Sequence, residues 1–377
     1  MTTQSPVYLD YNATTPVEGA ILETMLPWFR QRFGNASSTH LVGRRAAGAV
    51  LEARESVAAA MGVPANGIVF TSGATEADNL ALRGVSGRVV VAATEHKAVL
   101  ETAQHLDCSI VSVNSAGQLD LDEFEHEVRG ASLVSVMLAN NETGIVQDFD
   151  SIVEIARRNG CLIHTDATQA FGKLPINIGD LDVDLISVSS HKIYGPQGVG
   201  ALYVRQGVKL SPLMTGGGHE RGLRSGTLNV PAIVGFGTAA RILAPVQDGA
   251  KSRKLLDLLL ELLGDAGPFE VFSNHHTGLP NTLSIRFSEA DAEAVIANTP
   301  EVAVSTGSAC SSAVPEPSHV LTAMGIPVSC AFETLRISIG RPTTPEEIAF
   351  AASALTRAVR SVRHHSVRSV TPDGDRP

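Results

Sequence analysis

Six short apolar runs lie between positions 68 and 204: Ile68 to Phe70, Arg88 to Ala93, Leu133 to Leu138, Cys161 to His164, Leu185 to Val188 and Ala201 to Val204. All are rich in β-branched and aliphatic residues, and helix-like stretches such as 44–61 and 149–159 separate them, long enough to cross over a sheet. That alternation is the α/β signature of a mostly parallel sheet. A Pro/Gly-marked break at 245–249 precedes an amphipathic stretch at 251–263, and a strand pattern resumes at Asn281 to Phe287. We therefore expect a large domain over 15–250 and a smaller α+β domain built from 1–14 and 251–360. The aperiodic, charged stretch 361–377 is expected to be a disordered tail.

With 377 residues, 44% of them hydrophobic, the chain can bury two cores. A net charge of −10 argues against a standing nucleic-acid or membrane surface. Four cysteines, Cys108, Cys161, Cys310 and Cys330, show no C-x-x-C spacing, so neither a disulfide framework nor a structural metal site is expected. The amino terminus has neither a basic nor an apolar leader region, and no stretch reaches about 18 uninterrupted apolar residues. A reduced, cytoplasmic setting follows as an expectation.

In open α/β sheets, ligands bind beyond the carboxyl ends of the strands, so the polar residues closing each apolar run are the site candidates. The run at 185–188 ends in Ser189-Ser190-His191-Lys192, which offers hydroxyls, an imidazole and an amine. Such a set suits a phosphorylated carbonyl cofactor, pyridoxal 5'-phosphate foremost, because an amine can join a carbonyl covalently while neighbours hold phosphate. Gly73, Ala74 and Thr75 can open a helix whose free N–H groups hold phosphate, or can simply cap it. His96 can lie over a planar ring and move protons, or serve as a structural helix start. The Ala139 to Gly144 turn presents Asn141 toward a ligand or exists for its conformation alone. Asp166, closing the run at 161–164, would need a cationic partner if buried, and a protonated pyridine nitrogen is one.

From Tyr8-Leu-Asp-Tyr-Asn-Ala-Thr-Thr-Pro16 to Leu335-Arg-Ile-Ser-Ile-Gly-Arg341 the motifs resemble, in order, those of the class V cysteine desulfurases. These are fold-type I pyridoxal-phosphate transferases. The resemblance implies that Lys192 holds the cofactor as a Schiff base, His96 stacks on the ring, Asp166 faces the pyridine nitrogen and Gln169 the ring hydroxyl. It implies a phosphate cup of Ala74, Thr75, Ser189 and His191, completed by Thr227 from a second subunit of a homodimer. Arg336 and Asn141 would hold the carboxylate of an L-cysteine substrate.

Cys310 separates the desulfurases from the aminotransferases of the same class. It lies in Ser305 to Ser318, a segment of small and polar residues with the composition of an arm that can reach a bound substrate and then an acceptor. By resemblance it accepts the sulfur as a persulfide, leaving L-alanine. The length of the segment matches the housekeeping subgroup, whose acceptors include iron–sulfur scaffolds, tRNA-thiolation proteins and the DNA phosphorothioation machinery. A selenocysteine lyase would use the same residues, and a class V aminotransferase all but Cys310.

Overall fold

The computed structural model describes residues 5–307 and 316–370, positions 366–370 through their backbone. Among the described residues, eight strands precede position 205: β1 (Val7–Tyr8), β2 (Ile68–Thr71), β3 (Val89–Ala92), β4 (Cys108–Val111), β5 (Leu133–Ser135), β6 (Leu162–Asp166), β7 (Leu185–Ser189) and β8 (Gly200–Val204). All but β1 join one sheet in the order β2-β8-β7-β6-β5-β3-β4. Strands β3 to β7 are parallel, and β8 runs against both of its neighbours.

Every one of the six apolar runs is therefore a strand. Along them, Ile68, Phe70, Val90, Ile186 and Val188 enter the core on one face of the sheet, whereas Val69, Val89, Val91 and Leu185 enter the core on the other. Burial on both faces is why the runs are apolar throughout rather than alternating with polar residues. Strand β4 escapes sequence reading for the opposite reason. It forms the edge of the sheet, Ile110 is exposed, and its short stretch lacks the density of a buried run.

Five further strands follow: β9 (Phe269–Val271), β10 (Thr282–Phe287), β11 (Val302–Ala303), β12 (Ser305–Thr306) and β13 (Thr334–Ser338). Strands β12-β13-β10-β9 make an antiparallel sheet, and β1 pairs with β11. Leu283, Ile285, Leu335 and Ile337 of this sheet pack on Leu255, Leu256 and Leu259 of helix Pro245–Leu263 and on Ile348, Leu355 and Val359 of helix Pro345–Val370. Through β1 the amino-terminal segment belongs to this second core, which also takes in Leu9.

Two boundaries differ from the sequence reading. The 245–249 stretch is not a break but the first turn of helix Pro245–Leu263, because proline at the first helical position loses no hydrogen bond. The break lies just before it, after helix Val230–Arg241. The last helix continues to Val370, so residues 361–370 are not a disordered tail. Val362 is buried there, and Arg363 donates to the carbonyls of Ala266, Pro268 and Ser288, which ties the extra turns to the smaller core.

Because β2, β3, β5, β6 and β7 point the same way, Thr71, Ala92, Ser135, Asp166 and Ser189 all end at one edge of the sheet. At that edge Gly200 lies so close to the turn before helix Ala74–Gly84 that a Cβ would sit 2.7 Å from the carbonyl carbon of Gly73. Only glycine lets β8 start there while leaving the helix end open.

Candidate active site

A cavity of about 680 Å³ opens at this edge, lined among others by Ala74, Thr75, His96, Asn141, Asp166, Gln169, Ser189, His191, Lys192 and Arg336. All ten were singled out in the sequence. Strand β7 delivers three of them, since a single 3₁₀ turn, Ser190–Lys192, follows its last residue. The amine of Lys192 donates to the backbone carbonyls of Asn12 at 2.5 Å and Ala13 at 2.7 Å. Two residues on, Tyr194 sits in the left-handed region at φ 67°. Its N–H donates to Thr15, its phenol accepts from the Arg341 N–H, and the Arg341 guanidinium lies 4.5 Å over its ring. That over-determination holds the strained turn, and with it the direction of Lys192.

Helix Ala74–Gly84 begins without a side-chain cap on Gly73, so its first N–H groups and positive end are available to an anion. Ser189 and His191 flank that end. His191 Nδ1 lies 3.0 Å from the Thr14 hydroxyl. Burial, and then the nearby Lys192 charge, push its pKa down to about 4, so it meets an anion as a neutral donor. Glu76, in the first turn, is occupied elsewhere: it accepts from Ser72 N and from Arg224, which holds its carboxyl below the usual range despite burial.

His96 is both a helix cap and a cavity residue. Its Nδ1 accepts from Ala98 N at 3.1 Å, which leaves the proton of the neutral ring on Nε2, and burial lowers its pKa. Capping thus occupies one edge of a ring that also lines the cavity. Asp166 is buried, with one oxygen accepting from Thr168 N at 2.8 Å. Behind it, burial pushes the carboxyls of Asp78 and Glu95 well above their usual range and drives His164 down to about 3. The floor therefore sets Asp166 beside buried groups whose charged forms desolvation disfavours.

Arg336 pairs with Asp10 at 2.8 Å and reaches the Asn141 carbonyl at 3.3 Å, while its buried Nε finds no hydrogen-bond partner among the described residues. Gln169 is already engaged, donating to the Asn12 carbonyl and accepting from Lys173. Thr227 is exposed and absent from the cavity wall of its own chain.

Cys310 lies outside the described residues, but both flanks of its segment are in place. Gly307 lines the cavity so near Glu142 that a Cβ would sit 2.2 Å from that carboxylate. On the far side, Ser318 donates to the same Glu142 at 2.5 Å, and His319 lines the cavity. The other cysteines are elsewhere: Cys161 is buried with its thiol on the Ala131 carbonyl, and burial raises the pKa of both Cys161 and Cys108.

Asn12 has no assigned role in the sequence reading, yet it ties the site together. Its N–H donates to Ser338, and its amide donates to Thr282 and the Asn141 carbonyl. Its side-chain oxygen accepts from Lys173 and Asn281, and its backbone carbonyl from Gln169 and Lys192. The available signal was its place in Asp10-Tyr11-Asn12, directly before the turn Ala-Thr-Thr-Pro.

The family model for class-V aminotransferases matches residues 7–350. A cysteine desulfurase IscS of Neisseria meningitidis is 45% identical over 97% of this chain and 95% of its own length. A solved structure titled NifS-like protein superposes with a TM-score of 0.88 at 36% identity, covering 94% of this chain and all of the other. Another, titled SspA in complex with cysteine, gives 0.79 at 35% identity over 88% of this chain and 98% of its own. With the lysine, the open helix end and the buried carboxylate around one cavity, these likenesses agree: the chain belongs to the class-V aminotransferase family, among the cysteine desulfurases.

Proposed function

We propose that this protein is a pyridoxal-phosphate-dependent cysteine desulfurase that converts L-cysteine to L-alanine and passes the sulfur, by way of Cys310, to an acceptor protein. The observation that carries this reading is the convergence of Gly307, by close approach, and Ser318, by a hydrogen bond, on Glu142 at the cavity. Cys310 is three residues beyond Gly307, so its Cα lies within about 11 Å of that of Gly307 by chain length alone.

The residues present fit the cofactor. The uncapped end of helix Ala74–Gly84, with Ser189 and His191, takes a phosphate, Lys192 supplies the amine and Asp166 the carboxylate for a pyridinium. Bound there, pyridoxal phosphate supplies an electrophilic carbon for the substrate amine and a place to store an electron pair. The remaining steps belong to the chain. Arg336 Nε and Asn141 receive the substrate carboxylate, satisfying the buried nitrogen that lacks a partner among the described residues. Lys192 Nζ carries the proton from the substrate α-carbon. His96, its pKa lowered by burial, presents Nε2–H on its free edge and donates a hydrogen bond to the substrate sulfur, whose own proton leaves with the persulfide. The Cys310 thiolate forms a bond to the substrate sulfur as the carbon–sulfur bond breaks. The electron pair stays with the carbon fragment, which is protonated to alanine.

The purified yellow protein should release alanine and sulfide in equal amounts from L-cysteine with a thiol reductant present. Alanine without sulfur transfer would overturn the reading. We also read the protein as a homodimer, supported by Leu22, Leu26 and Phe29, which are exposed along one face of helix Gly19–Arg30. Light scattering of the same preparation should give twice the mass of one chain, and a monomer of full activity would refute it.

Arg336→Ala should raise KM for cysteine by about 10- to 100-fold, the loss of a charged hydrogen bond to a carboxylate. Cofactor absorbance should stay unchanged. A KM within twofold of wild type would remove Arg336 from the substrate site.

A further inference from the structure

On the outer face of the smaller core, away from the cavity, three side chains converge on a point the desulfurase chemistry does not use. Asp257 projects from helix Pro245–Leu263, and His275 and His276 come from the turn between β9 and β10. His275 Nε2 lies 2.9 Å and His276 Nε2 3.0 Å from the same oxygen of Asp257. The two rings are 4.4 Å apart, and all three ligand atoms fall within 4.8 Å of one another. We propose that Asp257, His275 and His276 form a binding site for a divalent transition-metal ion of the zinc class.

The donor set selects that class. Two imidazole nitrogens with one carboxylate oxygen suit zinc, nickel or copper, whereas magnesium and calcium demand oxygen ligands. Zinc bonds of 2.0–2.1 Å in tetrahedral array place donor atoms about 3.3 Å apart, so the two separations from Asp257 need to open by only a few tenths of an ångström, and the imidazole nitrogens already lie within 4.8 Å of each other. Each ring would bind through neutral Nε2, its proton moving to Nδ1. His275 is buried, whereas Asp257 and His276 are about half exposed, which leaves the fourth position to water.

The turn is built before any ion arrives. Asn274 accepts through its side chain from His276 N and Thr277 N and through its carbonyl from Gly278 N, while Arg253, one helical turn before Asp257, donates to the His275 carbonyl. Three ligands on two elements, one of them a closed turn, lose little freedom on binding. The ion would clip the helix to a segment that supports the active site a few residues later, where Leu279 N donates to the Gly144 carbonyl and Asn281 to Asn12.

The probe is Zn²⁺ itself, titrated calorimetrically into holoprotein carrying Cys310→Ser, so that the sulfur-transferring thiol does not compete. One ion per chain should bind. His276→Ala and Asp257→Asn, both at exposed positions that tolerate substitution, should each weaken binding at least tenfold. His126→Ala, at an exposed histidine beside Glu127, should leave it unchanged. Zn²⁺ should also raise the thermal midpoint of the Cys310→Ser protein and not that of its His276→Ala derivative. Absence of a 1:1 event, or binding that survives His276→Ala, would overturn the site while leaving the desulfurase reading untouched.

Discussion

Lys192→Ala should yield a folded protein that loses its visible absorbance on dialysis and turns over cysteine at least about 10⁴-fold more slowly than wild type. The amine is the one group at the end of β7 that can hold a carbonyl covalently, and its absence also removes the carrier of the α-proton. What remains is the phosphate cup at the start of helix Ala74–Gly84, which can retain cofactor only reversibly. Losing the contacts of Nζ with the Asn12 and Ala13 carbonyls should cost stability only on the order of 1 kcal/mol. Circular dichroism should therefore match wild type. A dialysed variant that stays yellow and keeps normal kcat would show that the cofactor is held elsewhere.

Cys310→Ser should keep the cofactor spectrum and its response to added cysteine, yet release sulfide at least about 10³-fold more slowly. A serine hydroxyl is not ionised near neutral pH, and it is a poor nucleophile toward sulfur. Mass spectrometry of wild-type protein given cysteine without reductant should find added sulfur on the Cys310 peptide alone. Cys161 is buried, and burial holds the Cys108 and Cys161 thiols above their ordinary pKa, which keeps both in the unreactive form. Added sulfur on Cys108, Cys161 or Cys330, or a serine variant releasing sulfide at the wild-type rate, would end the proposed role of Cys310.

The large sheet was readable because its central strands are buried on both faces, and runs such as Val89 to Ala92 carry nothing but apolar side chains. The strand-end rule then puts Asp166, Ser189, His191 and Lys192 at one edge from the sequence alone. What escaped has a physical reason in each case. Strand β4 lies half in solvent, and Pro245 is a legitimate first helical residue that resembles a break. The extension past Arg360 goes with Arg363 reaching carbonyls 75 to 97 positions away. The buried groups behind the cofactor site, Asp78, Glu95 and His164, look in sequence like ordinary surface polar residues, because only the fold desolvates them.

The hydrogen bonds of Asn12 bear on how the enzyme moves. Both donors and both lone pairs of its amide are used, and they span Thr282 and Asn281 on the side of the smaller sheet and Lys173 and Asn141 on the side of the larger. Its backbone adds Ser338 on one side and Lys192 on the other. A swing of one sheet against the other would break most of these bonds at once, within a polar cluster shielded from water. The two halves should therefore behave as a single rigid body, without the jaw-like closure by which many two-lobed enzymes trap their substrates. Small-angle scattering should record the same envelope with and without a cysteine analogue.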